Sequence, residues 1–65
     1  MTNQAVTRKI NGEQVKVTKE EVMYRITRKG HSDYMLSQTH TMRFLFAEDQ
    51  EALEILIEDG YPAEN

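Results

Sequence analysis

The chain has 65 residues and a mass of 7.6 kDa, with 38% apolar residues, no cysteine and a net charge of −3. A chain of this length forms one domain, 1–65, and buries only about 60% of the surface that it exposes when unfolded, so its core is marginal. The lack of cysteine excludes disulfides and thiolate zinc sites, which leaves association with a second copy or a partner as the source of extra stability.

The first predicted element is a β-hairpin over 5–17. Two segments of alternating polar and apolar residues flank the dipeptide Asn11-Gly12. A type I′ turn needs positive φ at both central residues, and Asn and Gly adopt that conformation at low cost. Residues 1–4 are expected to be frayed, as are residues 62–65 at the other end of the chain.

A helix is predicted next, over 19–29. The stretch from Thr18 to Glu21 fits a capping box, and Gly30 is placed to end the helix after two basic residues. Apolar residues stand at helical spacing between these signals, at Val22, Met23 and Ile26. A strand is the competing interpretation, because Val22, Tyr24 and Ile26 also alternate.

Period-two alternation then runs from Tyr34 to Phe46, which predicts β structure over 33–46. Thirteen residues are more than the usual strand of about 5–6 residues contains. The segment is therefore either one long strand or two short strands that are broken near 37–40.

The last predicted element is an acidic amphipathic helix over 48–59. Apolar residues cover one side, acidic residues cover the other, and Gly60 followed by Tyr61-Pro62 ends it. Ile55 lies on the flank opposite Ile57 and widens the apolar arc to about half of the helix, which is more than one sheet face needs.

These elements predict a small α+β domain of hairpin, helix, β segment and helix that forms a homodimer. The excess apolar width of the last helix motivates the dimer. The predicted interface consists of Leu53, Ile55, Leu56, Phe44 and Phe46.

No pattern in the chain indicates catalysis or a metal site. His31, His40, Asp33 and Asp49 match no metal-ligand spacing. Serine, histidine and aspartate occur near 31–40, but without a nucleophile elbow or a glycine-bearing oxyanion loop. We therefore expect a protein that is not an enzyme and that uses neither a cofactor nor a metal.

Charge is divided sharply along the chain. Residues 1–43 contain eight basic and four acidic residues, a net charge of +4, whereas residues 44–65 contain seven acidic residues and no base, a net charge of −7. The two halves either neutralise each other, within one chain or across a dimer, or one of them presents its field to a foreign partner.

A protein-binding module is the function that this pattern favours, as an accessory or inhibitor protein of the bacterial or phage type that binds and modulates a host protein. Large aromatic, methionine and arginine side chains are typical of binding hot spots. The candidate partner-binding residues are Tyr24, Arg25, Arg28, Lys29, Tyr34, Met35 and Tyr61.

A small dimeric nucleic-acid-binding regulator is the alternative, and it would use the basic residues of 8–29 to contact phosphates. In a variant of the protein-binding interpretation, the acidic residues imitate a row of phosphates and occupy a basic groove on the partner. With no apolar run near the roughly 18 residues of a membrane-spanning helix and no signal-peptide core, we expect a cytoplasmic protein without a membrane partner.

Overall fold

In the computed structural model, which describes residues 5–63, a single antiparallel sheet is followed in the chain by two helices and a short final strand. The elements are β1 (Ala5–Ile10), β2 (Glu13–Glu20), β3 (Met23–Arg28), β4 (Tyr34–Ser37), α1 (Gln38–Phe46), α2 (Asp49–Asp59) and β5 (Tyr61–Pro62). The strand order in the sheet is β1-β2-β3-β4-β5. The small α+β domain is therefore confirmed, whereas the order of its elements differs from the predicted one.

The predicted hairpin over 5–17 is present as β1 and β2. Asn11 has φ of 53° and Gly12 has φ of 83°, so both turn residues adopt the left-handed conformation on which the prediction depended. Ile10 and Glu13 close the turn, and the pairing continues to Ala5 opposite Thr18.

The predicted helix over 19–29 is wrong, because this segment completes a second hairpin. β2 runs on to Glu20, the chain turns at Glu21, and β3 returns with Ile26 directly opposite Val17. Val17 and Ile26 are both buried. Pairing therefore adds β3 to the apolar face that β2 already presents, and this long-range gain outweighs the local signals for a helix.

The predicted β segment over 33–46 is correct only for its first part. β4 ends at Ser37, whose hydroxyl oxygen accepts a hydrogen bond from the backbone N–H of His40 at 3.3 Å and caps α1. Of the two alternatives, one long strand is wrong and a break near 37–40 is present, but a helix follows it in place of the second strand. Thr41 and Phe44, three residues apart, are the buried residues of that helix.

The core lies between one face of the sheet and the two helices. The predicted helix over 48–59 is confirmed as α2, and Ile55 belongs to this core, so its apolar width is used within the chain. The buried apolar residues are Ile10, Val15, Val17, Ile26, Leu36, Phe44, Ala52, Ile55 and Leu56.

Fraying was predicted at both ends of the chain, over residues 1–4 and 62–65. Residues 1–4 and 64–65 lie outside the described range. Pro62 is paired with Tyr34 in β5, and the N–H of Ala63 donates to the carbonyl of Asp33 at 2.9 Å. Fraying at 62–65 therefore does not extend to Pro62 and Ala63.

Replacing Gly60 with alanine is expected to lower the free energy of unfolding by about 1–3 kcal/mol. Gly60 has φ of −94°, which any residue tolerates, but a Cβ would lie 2.6 Å from the carbonyl oxygen of Leu56 and 3.1 Å from Leu36 Cδ2. Urea denaturation measures the change. In open space the same substitution would instead stabilise the protein by about 0.4–1 kcal/mol, so a higher midpoint would contradict this account of the packing.

Replacing Thr41 with valine is expected to raise the free energy of unfolding by about 1 kcal/mol. Thr41 is 2% exposed, and its hydroxyl has no hydrogen-bond partner in the part of the chain that the structure describes. Thr41→Ser is the matched control, because it keeps the hydroxyl, removes a methyl group and should destabilise by about 1 kcal/mol. Calorimetric melting of the wild type and the two variants measures the changes. A loss of stability in Thr41→Val would show that the hydroxyl makes a hydrogen bond in the folded protein.

Candidate protein-binding surfaces

The position of both helices depends on Arg8, which extends from the core-facing side of β1 to the end of α1. Its Nη1 donates to the carbonyl oxygens of Phe44 and Ala47, each at 2.8 Å, and its Nη2 donates to Asp49 Oδ1 at 2.8 Å. The last carbonyls of a helix have no partner within the helix. Arg8 therefore supplies donors to the end of α1 and an ion pair to the start of α2.

Asp49 extends this contact to the first hairpin. Its Oδ2 accepts the backbone N–H of Asn11 at 2.9 Å, while its Oδ1 is held by Arg8. The Arg8 guanidinium also lies 6.0 Å from the centre of the Phe44 ring. Because one carboxylate joins the β1–β2 turn to the first residue of α2, the outer surfaces of the helices are held in place relative to the sheet.

The exposed side of α1 carries two large apolar side chains, Met42 and Phe46. They lie one helical turn apart, and 55% of Met42 and 84% of Phe46 is exposed. α1 contains no acidic residue, and Arg43 is its one charged side chain apart from His40. We call Met42 and Phe46 the α1 flank.

The exposed side of α2 carries a second apolar pair, Leu53 and Ile57. Ile57 is 68% exposed, whereas Leu53 is half-buried against the core. Together with Asn11, Gln50 and Glu54 they line a groove of about 320 Å³, which we call the α2 groove. The groove thus lies between the helix and the turn that Asp49 holds.

The charge division survives folding almost intact. Among residues 5–63, Arg8 with Asp49 is the one lysine or arginine ion pair that joins the basic half of the chain to the acidic half. Glu51, Glu54 and Glu58 are exposed and take part in no ion pair within that range. Within residues 5–63, direct ion pairing between the two halves is therefore limited to Arg8 with Asp49 and His40 with Asp59.

The sheet face that points away from the helices carries Arg25 between two carboxylates. Its Nε donates to Glu20 at 2.8 Å and its Nη1 donates to Asp33 at 3.0 Å. The hydrogen bond to Glu20, followed by that to Asp33, raises the pKa of the Arg25 guanidinium above its ordinary value. Arg25, Met35 and Tyr61, three of the predicted partner-binding residues, meet here in a cleft of about 270 Å³.

The other predicted partner-binding residues lie apart from this cleft. Tyr24 and Tyr34 pack against the core and are half-buried, and Arg28 pairs with Val15 at the end of β3. Lys29 is exposed in the following turn. The structure therefore divides these residues between the two faces of the sheet.

Three of the five residues predicted for the dimer interface are buried within one chain. Phe44, Ile55 and Leu56 are at most 5% exposed, so a partner cannot contact them while this core is packed. Phe46 and Leu53 remain accessible. The sequence did not identify Met42 as a surface residue, because the alternation over 33–46 predicted a strand there and not α1. It also placed Ile57 on the buried side of its helix, whereas Ile57 is exposed.

Of the serine, histidine and aspartate residues considered from the sequence, the structure brings Ser37 and His40 together at the start of α1, where Ser37 is the helix cap, and the carboxylate beside His40 is that of Asp59 rather than Asp33. Ser37 Oγ lies 3.0 Å from His40 Nδ1, and His40 Nε2 lies 3.8 Å from Asp59 at the end of α2. Asp33 and Asp49 are engaged by Arg25 and Arg8. No group of three potential metal ligands occurs within 5–63.

Two further observations concern the chain as a whole. Neither helix in the described part of the chain has the length and apolar character needed to cross a membrane. Comparison with protein-family models, with curated proteins and with solved structures finds no match to this chain.

Replacing Arg8 with methionine is expected to lower the free energy of unfolding by about 3 kcal/mol, because carbonyls at the end of α1 lose their donor and Asp49 loses its partner. Arg8→Lys should recover little of the loss, since one ammonium cannot reproduce the forked contacts. Lys9→Met is the control, as Lys9 is exposed on the opposite face. Equal urea midpoints for Arg8→Met and Lys9→Met would refute this role of Arg8.

Proposed function

We propose that the protein is a non-enzymatic binding module that associates with a second copy through the α1 flank and that binds and modulates a host protein. The observation that carries the proposal is the 84% exposure of Phe46 beside Met42. Burying one such side chain contributes about 1.5–3 kcal/mol, and aromatic and methionine side chains are enriched in binding interfaces.

The α1 flank is the better surface for a second copy. In a twofold contact the same surface meets itself, so any charge on it faces a like charge. α1 brings one full charge to such a contact, that of Arg43, whereas α2 would bring both Glu54 and Glu58 of each copy together. The proposed dimer interface therefore keeps Phe46, adds Met42 and excludes the buried Phe44, Ile55 and Leu56.

The ion pairs of Arg8 and Arg25 favour a protein partner over nucleic acid. Arg8 and Arg25 are both held by carboxylates of the chain itself, which lowers the number of cations free to contact phosphates. Lys9 and Lys16 are exposed on the face away from the helices. A regulator that binds nucleic acid through 8–29 would have to rely on the other basic residues of that range, which have no ion pair within residues 5–63: Lys9, Lys16, Lys19, Arg28 and Lys29.

The Phe46→Ser variant is expected to be a monomer at concentrations where the wild type sediments at twice the 7.6 kDa chain mass. Phe46 makes little contact with its own core, so the thermal unfolding of the diluted monomer should hardly change. Val22→Ser is the matched control, because Val22 is 80% exposed in the β2–β3 turn and should leave the dimer intact. A wild-type chain that sediments as a monomer would remove the dimer from the proposal.

Capture of a target by the tagged full-length protein from bacterial lysate, with and without nuclease, tests the binding function. We expect one stoichiometric protein that survives nuclease treatment. Recovery of nucleic acid, with every protein lost after nuclease, would replace the proposal with the regulator that uses the basic residues of 8–29.

A further inference from the structure

The α2 groove has fixed walls on both sides. On one side are Leu53 and Ile57 of α2, and on the other is Asn11 of the β1–β2 turn. The N–H of Asn11 is bound by Asp49, the first residue of the same helix, so the turn and the helix are held together. A site whose walls are already in place loses less entropy when a ligand binds.

Beside the apolar pair runs an acidic pair at the same spacing. Glu54 lines the groove, and Glu58 follows one turn later, as Ile57 follows Leu53. Both pairs therefore run parallel to the helix axis with steps of about 6 Å. α2 contains no basic residue, and neither glutamate has an ion-pair partner within residues 5–63.

The acidic pair beside the apolar pair favours a positively charged ligand in the α2 groove. A second copy seated on α2 would oppose carboxylates to carboxylates, and nucleic acid or an anionic membrane would be repelled in the same way. A partner that carries an apolar row beside a row of lysine or arginine matches both rows at once. An amphipathic helix with i, i+4 spacing has this pattern.

We infer that the α2 groove binds a basic amphipathic segment of the partner protein, with apolar side chains against Leu53 and Ile57 and cations against Glu54 and Glu58. The inference rests on the proposed binding function and names the chemical class of the partner. It assigns the partner to α2 and leaves the α1 flank to the second copy.

The test measures binding of a fluorescent 18-residue peptide, with leucine on one helical face and lysine on the other, to the full-length protein by anisotropy. The same peptide with glutamate in place of lysine is the charge control. We expect the lysine peptide to bind, to weaken as salt is raised, and to exceed the glutamate peptide in affinity at least about tenfold.

Variants of the protein separate the groove from general attraction between opposite charges. Ile57→Ser should weaken the lysine peptide about tenfold or more, and Glu54→Gln should weaken it and flatten the salt dependence. Val22→Ser and Glu21→Gln are the matched controls, because both residues are exposed outside the groove and outside the α1 flank, and affinity should stay within twofold. All four positions are exposed, so the variants are expected to fold.

Absence of binding by the lysine peptide, equal binding of both peptides, or unchanged affinity in Ile57→Ser would overturn the inference. A target that is captured from nuclease-treated lysate equally well by wild type and Ile57→Ser would also overturn it, while the proposed binding function would stand. If the wild type captures no protein, the proposed function itself fails, whatever the peptide does.

Discussion

The arrangement of the helical layer depends on a single cation that serves two helices. Arg8 lies on β1, and its guanidinium donates to carbonyl oxygens at the end of α1 and pairs with Asp49 at the start of α2. The same Asp49 carboxylate accepts the backbone N–H of Asn11 in the β1–β2 turn. α1 has nine residues, and isolated helices of that length are marginal in water. Its stability must therefore come from tertiary contacts, of which the forked contact from Arg8 is the most directional.

A domain this small cannot bury all of its apolar residues, and several of the exposed ones lie on the outer sides of the two helices. The core takes one stripe from each helix, which leaves Met42 and Phe46 on α1 and Ile57 on α2 in solvent. The exposed pairs differ in electrostatic surroundings, because α1 lacks acids and α2 lacks bases. This difference is what allows one surface to be proposed for self-association and the other for a basic partner.

The basic and acidic halves of the chain lie largely on different layers of the structure, the sheet and α2. Six of the eight basic residues lie on the strands, and two of these, Arg8 and Arg25, are paired with carboxylates, whereas Glu51, Glu54 and Glu58 of α2 have no ion pair within residues 5–63. A net charge of −3 therefore understates the field around α2. Such a field accelerates and orients encounters with a cationic surface more than it adds affinity, so specificity must come from the apolar groove.

The sequence alone determined the elements whose signals are local: the hairpin around Asn11-Gly12, the helix ending at Gly60 and the acidic stripe of α2. The tertiary structure decided the rest. Segment 19–29 carries helix and strand patterns at once, and only pairing with β2 selects the strand. Neither the use of Ile55 in the core nor the groove between Asn11 and Ile57 can be derived from spacing. Ile55 is buried with residues of the sheet that are distant in the chain. The groove exists because Asp49 holds the turn at Asn11 beside α2.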